Sequence, residues 1–185
     1  MGKLYERIDE PLREFIEGQR VFFVATAPSG SQGHVNVSPK GGDSLRVLAE
    51  RTVAYLDFNG SGVETVAHLR DNGRITLMLC AFQGPPKIVR LHGSGVAVEP
   101  RDGRFAELHR YFPPSNNVRS IIVVEVTRIS DSCGYSVPLY AFEGHRSTLE
   151  AWAEKKGPEK LAEYRQKKNA TSIDGLAGLP SVTED

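Results

Sequence analysis

A mainly β chain with peripheral helices, folded as an antiparallel barrel, is predicted by three features of the sequence. Short β-branched and aromatic runs recur along the first 130 residues, most links between them are too short for parallel crossovers, and apolar three- and four-residue spacing is confined to a few stretches. A barrel accommodates this many strands in 185 residues without leaving edges to defend, although the same pattern also fits an open sandwich.

Leu4, Ile8, Leu12, Phe15 and Ile16 fall at helical spacing, so a helix is expected from Leu4 to Gly18, kinked or broken at Pro11. Val21 to Ala27, the turn residues Pro28 to Gly33 and the alternating His34 to Ser38 read as a hairpin. Further strands are expected at Leu45 to Ala49, Thr52 to Phe58, Arg74 to Phe82, Lys87 to Val98 and Val118 to Ile129. Helical insertions are expected at Val63 to Asn72, stopped by Gly73, and at Gly103 to Phe112, stopped by Pro113-Pro114. After His145 the pattern is helical again, with Gly157-Pro158 dividing two short helices, and beyond Asn169 it is irregular. The expected organisation is a barrel domain over 1–142 and a helical extension over 143–185.

Lys plus Arg equals Asp plus Glu at 23 each, so no net field draws the chain to nucleic acid or an anionic membrane. No apolar run is long enough for a bilayer span, and the first residues lack a signal core. Cys80 and Cys133 are far apart and unpaired in pattern, which fits a reducing cytoplasm and gives no disulfide or metal framework. His109 and His145 have no companions at metal-ligand spacing.

Two segments could carry chemistry. In an extended strand, His34, Asn36 and Ser38 share one face, followed by Lys40; ring nitrogen, amide, hydroxyl and cation suit a planar heterocycle with a phosphate tail. The alternative is a polar strand face turned to water. In the second segment, Asp57 to Thr65, a strand passes through Asn59-Gly60-Ser61-Gly62 into a helix whose free amides favour an anion. The competing account is a capping box made by Ser61 and Glu64. Arg90 could assist a phosphate if it points inward.

Taken together, His34-Val35-Asn36-Val37-Ser38-Pro39-Lys40, Tyr55 to Gly62, Glu64 to Leu69 and Asn72 to Leu77 resemble the pyridoxamine 5′-phosphate oxidase-like FMN-binding split barrels, over residues 15–130. The resemblance implies a split β-barrel homodimer with FMN at the interface, acting as an oxidoreductase on a small-molecule redox substrate or oxygen. It places His34, Asn36, Ser38 and Lys40 along one side of the flavin and Asp57, Asn59, Ser61, Gly62 and Thr65 near the other, with the phosphate by Lys40 and Ser61. Two departures touch the phosphate site. The true oxidases begin the first strand with Arg where His34 stands, and continue their Gly-Ser turn with Arg-Lys where Gly62-Val63 stand. At about 1.5 to 3 kcal/mol for each charge-assisted hydrogen bond, such losses weaken a phosphate site by powers of ten unless Arg90 or a partner's arginine replaces them. The C-terminal arginine and histidine cluster by which the true oxidases recognise pyridoxal phosphate is also not evident, so pyridoxamine oxidation is not carried over. Related barrels also hold deazaflavin F420 or haem, the latter requiring His34 or His68 as axial ligand, and a non-catalytic flavin-binding module is a further alternative.

Overall fold

The computed structural model describes residues 2–179. Eight strands form one antiparallel sheet: β1 (Leu4–Tyr5), β2 (Phe22–Thr26), β3 (Asn36–Lys40), β4 (Leu45–Ala49), β5 (Thr52–Phe58), β6 (Arg74–Cys80), β7 (Ile88–Val98) and β8 (Val118–Ser132). The spatial order is β3-β2-β6-β7-β8-β5-β4, with β1 added beside β8. No backbone ladder joins β3 to β4 or β5 among the described residues, so the sheet curls into a split barrel whose edges meet through side chains.

Among the described residues four helices decorate it: α1 (Glu10–Gly18), α2 (Glu64–Asn72), α3 (Phe105–His109) and α4 (Thr148–Lys168). The first differs from the expected Leu4 to Gly18. Leu4 and Tyr5 pair with Ser130 and Ile129 of β8, and the helix starts only after Asp9, whose carboxylate accepts from Leu12 N–H. Pro11 thus sits in the first turn, where its missing N–H costs nothing, and causes no kink. The α3 insertion is shorter than expected. Gly73 ends α2 at φ 72°, and Gly157 at φ 72° divides α4 as the sequence predicts.

The main core gathers Leu12 and Ile16 of α1, Val24, Leu77 and Leu91 of the central strands, and Tyr55 and Ile122 on the far wall. A second cluster, with Ala54, Leu56, Ile121 and Phe112, lies on the opposite face of β5 and β8. Strand β5 is therefore buried on both faces, which explains its near-continuous apolar sequence. Asp57 follows Tyr55 on the inward face of this strand. Beyond α4 the chain does not trail off: Leu179 is buried in the main core, and residues 171 and 177 form a β-bridge. Residues 180–185, within the segment expected to be irregular, lie outside the described residues.

Candidate functional site

Strand β3 inverts the usual alternation. Val35 and Val37 are 71% and 62% exposed, while Asn36, Ser38 and Lys40 turn inward, opposite Thr26, Val24 and Phe22 of β2. The inward row then laces β3 to the rest of the barrel where no ladder does so. Asn36 Nδ2 donates to Thr26 Oγ1 at 3.1 Å and to Thr65 Oγ1 of α2 at 3.0 Å, and Ser38 Oγ donates to Asn36 Oδ1 at 3.3 Å. Lys40 Nζ reaches Asp57 Oδ1 of β5 at 3.3 Å. The split of the barrel is thus a polar seam between β3 on one side and β5 and α2 on the other.

Asp57 is wholly buried, and a buried carboxylate stays ionised only if it is paired. Arg119 Nε donates to its Oδ2 at 2.7 Å, Ser120 Oγ at 3.2 Å, and Lys40 approaches from the seam. Burial pushes the Asp57 carboxyl upward, but the Arg119 and Lys40 charges and their hydrogen bonds outweigh it and hold the group below its ordinary 3.8. Backbone register explains how two successive β8 residues face one carboxylate. Asp57 pairs with Ser120 but Phe58 pairs with Val118, so Arg119 is the extra residue of a bulge, which re-aims its side chain. Arg119 was not singled out from sequence; the signal that could find it is the unpaired charge at an inward position of β5.

The remaining Arg119 donors tie the seam to the C-terminal segment. Nη1 donates to Asn169 Oδ1 at 3.0 Å and to Gly60 O at 3.3 Å, and Asn169 Nδ2 donates to Gly60 O at 2.9 Å. Asn59 is turned away from the seam: its Nδ2 donates to Asn117 O at 2.9 Å and its Oδ1 accepts from Arg165 of α4 at 3.2 Å. The capping box does not form. Val63 occupies the N-cap of α2 without a side-chain hydrogen bond, Ser61 and Gly62 are exposed, and Glu64 instead accepts from Ile173 N–H of the tail at 3.4 Å. The first turn of α2 therefore keeps amides that no side chain caps.

His34 lies before β3 rather than in it, and pairs with Asp174 of the tail: Nδ1 to Oδ1 is 2.7 Å and backbone N to Oδ2 is 2.8 Å. Arg90 stands on the opposite face of the sheet from the seam, in the row Pro39, Phe23, Met78, Arg90, and donates to Ser132 Oγ at 3.0 Å. The structure thus brings together Asn36, Ser38, Lys40, Asp57 and Thr65, with His34, Ser61 and Gly62 at the rim, and separates Asn59 and Arg90 from them. His68 is fully buried in α2, with Nδ1 at 2.9 Å from Thr26 Oγ1 and Nε2 unpartnered. Burial pushes its imidazole below the ordinary 6.5.

Neither of two cavities lies in the seam. One of about 690 Å³ separates residues 114–117 from α4, and one of about 380 Å³ lies on the outer sheet face beside Val35, Thr76 and His92. Among the described residues no cluster of three or more His, Cys, Asp or Glu could hold a metal ion, and no helix is long and apolar enough to cross a membrane. As to a flavin phosphate, the donor set fits in kind, with one cation, hydroxyls and open helix amides, and carries fewer cations than a dedicated phosphate site.

Comparison with known proteins agrees with this architecture. The family model for pyridoxamine 5′-phosphate oxidase matches residues 8–133. The chain is 37% identical over 204 residues to the pyridoxamine 5′-phosphate oxidase family protein ustO of Aspergillus flavus, covering 100% of this chain and 81% of that protein. Among solved structures, HupZ of Group A Streptococcus aligns with a TM-score of 0.54 at 21% identity, covering 68% of this chain and 99% of that one. A Lactobacillus delbrueckii chain aligns at 0.52 with 15% identity, covering 69% and 98%. The two structural likenesses bear on the fold alone.

Proposed function

Because this chain belongs to the pyridoxamine 5′-phosphate oxidase family, we propose that it is an FMN-dependent oxidoreductase that holds its flavin in the β3 seam of a homodimer and serves a small planar substrate or oxygen. One observation carries this reading: Asn36, Ser38 and Lys40 face Thr65 and Asp57 beside the uncapped first turn of α2. Bound FMN supplies two-electron chemistry by itself. The residues of the chain then have three tasks. Asn36 and Ser38 offer hydrogen bonds to the heterocycle, Lys40 and the α2 amides meet the phosphate, and the buried Asp57–Arg119 pair holds β5 in register behind them.

A second copy is the natural cover for the outer face of β3. Val35 and Val37 present an apolar edge next to Ala25 and Thr76, the arrangement that pairing or packing normally protects. Arg90 sits on that face, where a partner's phosphate site could use it. A haem would have to use His34, whose Nε2 is open, because His68 is fully buried.

The test is the visible absorption spectrum of the purified protein, followed by mass analysis of any released cofactor and titration with FMN. A flavin spectrum with stoichiometric FMN supports the reading, and a deazaflavin or haem mass replaces the cofactor. Colourless protein that ignores added FMN ends it.

A further inference from the structure

The His34–Asp174 pair is left unused by the flavin reading. The partners are 140 residues apart, and the C-terminal turn joins them. Ser172 N–H donates to Leu176 O, Gly175 N–H to Ser172 O, and Gly175 takes φ 76°, which favours glycine. Leu179 N–H donates to Asn169 O, and both residues are buried, so the turn has a fixed base. At its tip the Asp174 carboxylate accepts from His34 twice, from the backbone N–H and from the ring. An ionised carboxylate only accepts, so the ring proton sits on Nδ1 and Nε2 keeps its lone pair. The Asp174 side chain is 14% exposed and that of His34 72%, so the orienting partner is sheltered while the ring is open. Among the described residues Nε2 has no partner. The other titratable groups nearby, all on α2, are Glu64, Asp71 and the buried His68; Lys40 lies further along the seam, 3.3 Å from Asp57. The pair also adjoins the seam, since His34 precedes Asn36 by two residues and Ile173 contacts Glu64, next to Thr65.

We propose that His34 and Asp174 form a proton-transfer dyad at the rim of the seam, in which His34 Nε2 takes the proton from the O–H or N–H of an alcohol or amine substrate. The inference rests on the flavin reading. The X–H bond breaks with its proton going to Nε2 and its electron pair closing the new C=X bond. With a flavin bound, the neighbouring C–H would leave as hydride to it, so that the substrate would be oxidised and the flavin reduced by two electrons each. Asp174 holds the tautomer and stabilises the imidazolium that results.

Two measurements test it. Long-range proton–nitrogen correlation spectra of ¹⁵N-labelled protein, free and FMN-loaded, should show the neutral His34 ring as the Nδ1–H tautomer, reverting to Nε2–H in Asp174→Ala. A wild-type ring already Nε2–H, or one unchanged by losing Asp174, overturns the dyad whatever the cofactor. Stopped-flow reduction of bound FMN by lactate, glycolate, ethanolamine and benzylamine should slow by about 100-fold or more in Asp174→Ala, with FMN affinity within about threefold. A loss in rate under about threefold overturns the proposal, as does failure of every donor to reduce the flavin. Absence of FMN binding would instead end the flavin reading, and the tautomer would still report on the pair. Asp174→Asn, close in volume, repeats both measurements should alanine loosen the tail.

Discussion

Replacing Arg119 by methionine keeps much of the side-chain volume and removes the main counter-charge from a carboxylate with no access to water. The hydrogen bonds lost are those to Asp57 at 2.7 and 3.4 Å, to Asn169 at 3.0 Å and to Gly60 at 3.3 Å. Breaking one half of a buried ion pair costs about 3 to 5 kcal/mol, because the other charge remains in the interior. Lys40 stays 3.3 Å from Asp57 but is itself partly exposed, which places the expected loss near the lower end, about 3 kcal/mol. For a chain of this length that corresponds to a fall in melting temperature of roughly 6 to 12 °C. The pH dependence has a definite sign. In the wild type the Asp57 carboxyl lies below 3.8, so its stabilisation is present above that value and is lost as pH falls through the folded value. In the variant burial prevails over the remaining Lys40 charge, the carboxyl rises, and protonation relieves the penalty at higher pH. The stability gap between the two proteins should therefore narrow as pH falls from about 7 to about 5. Urea unfolding at both ends measures it, and Asp57→Asn added to Arg119→Met should recover part of the loss. A neutral-pH loss below about 1 kcal/mol, the range of an exposed pair, would refute the assignment of Arg119 as the charge that keeps Asp57 ionised.

Lys40→Ala should raise the FMN dissociation constant about 10- to 100-fold by removing one charge-assisted contact; fluorescence titration reads this, and a change under about threefold would remove Lys40 from the phosphate site. His68→Gln tests the buried imidazole: because burial holds it below 6.5, the wild type loses stability as pH drops below that value toward the folded one, and the variant should lose that slope in urea midpoints while other groups keep theirs. Gly178→Ala places a methyl group against Asn169 O and the Val63 side chain, so the tail must shift. A cost of about 1 to 3 kcal/mol is expected, with faster amide exchange over residues 170–179; unchanged exchange would show that the tail is not seated as described.

What the sequence revealed and what it concealed divide by the range of the interaction. The strands, the glycine stops at Gly73 and Gly157 and the shared face of Asn36 and Ser38 were legible because each is written in a period of two or in one residue's backbone preference, whereas the inward direction of that face was not, since a polar face turned to water has the same alternation. Pro11 misled for a local reason: proline breaks a helix or begins one according to whether a cap precedes it, and Asp9 supplies the cap. The Ser61 and Glu64 capping pattern fitted the sequence and still failed. Asn169 holds the carbonyls of Gly60 and Ser61 while the tail takes Glu64, so contacts from more than a hundred residues away displaced a local motif.

Arg119 and Asp174 were concealed for the same reason, yet one of them left a trace. Asp57 stands between Leu56 and Phe58 in a strand whose neighbours are buried on both faces, and an ionised group there demands a cation from an adjoining strand. Strand β8 offers Arg119 within a run of buried apolar residues, the only position in Val118–Val124 that carries charge, so the two unpaired charges identify each other once β5 and β8 are known to pair. No such demand points from His34 to Asp174. An exposed histidine is stable without a partner and an aspartate in a polar tail is ordinary, so their meeting is fixed by the seating of Leu179 and Asn169, residues that carry no chemistry of their own. Burial makes charge legible because the interior enforces pairing, while an exposed dyad is set by tertiary geometry alone.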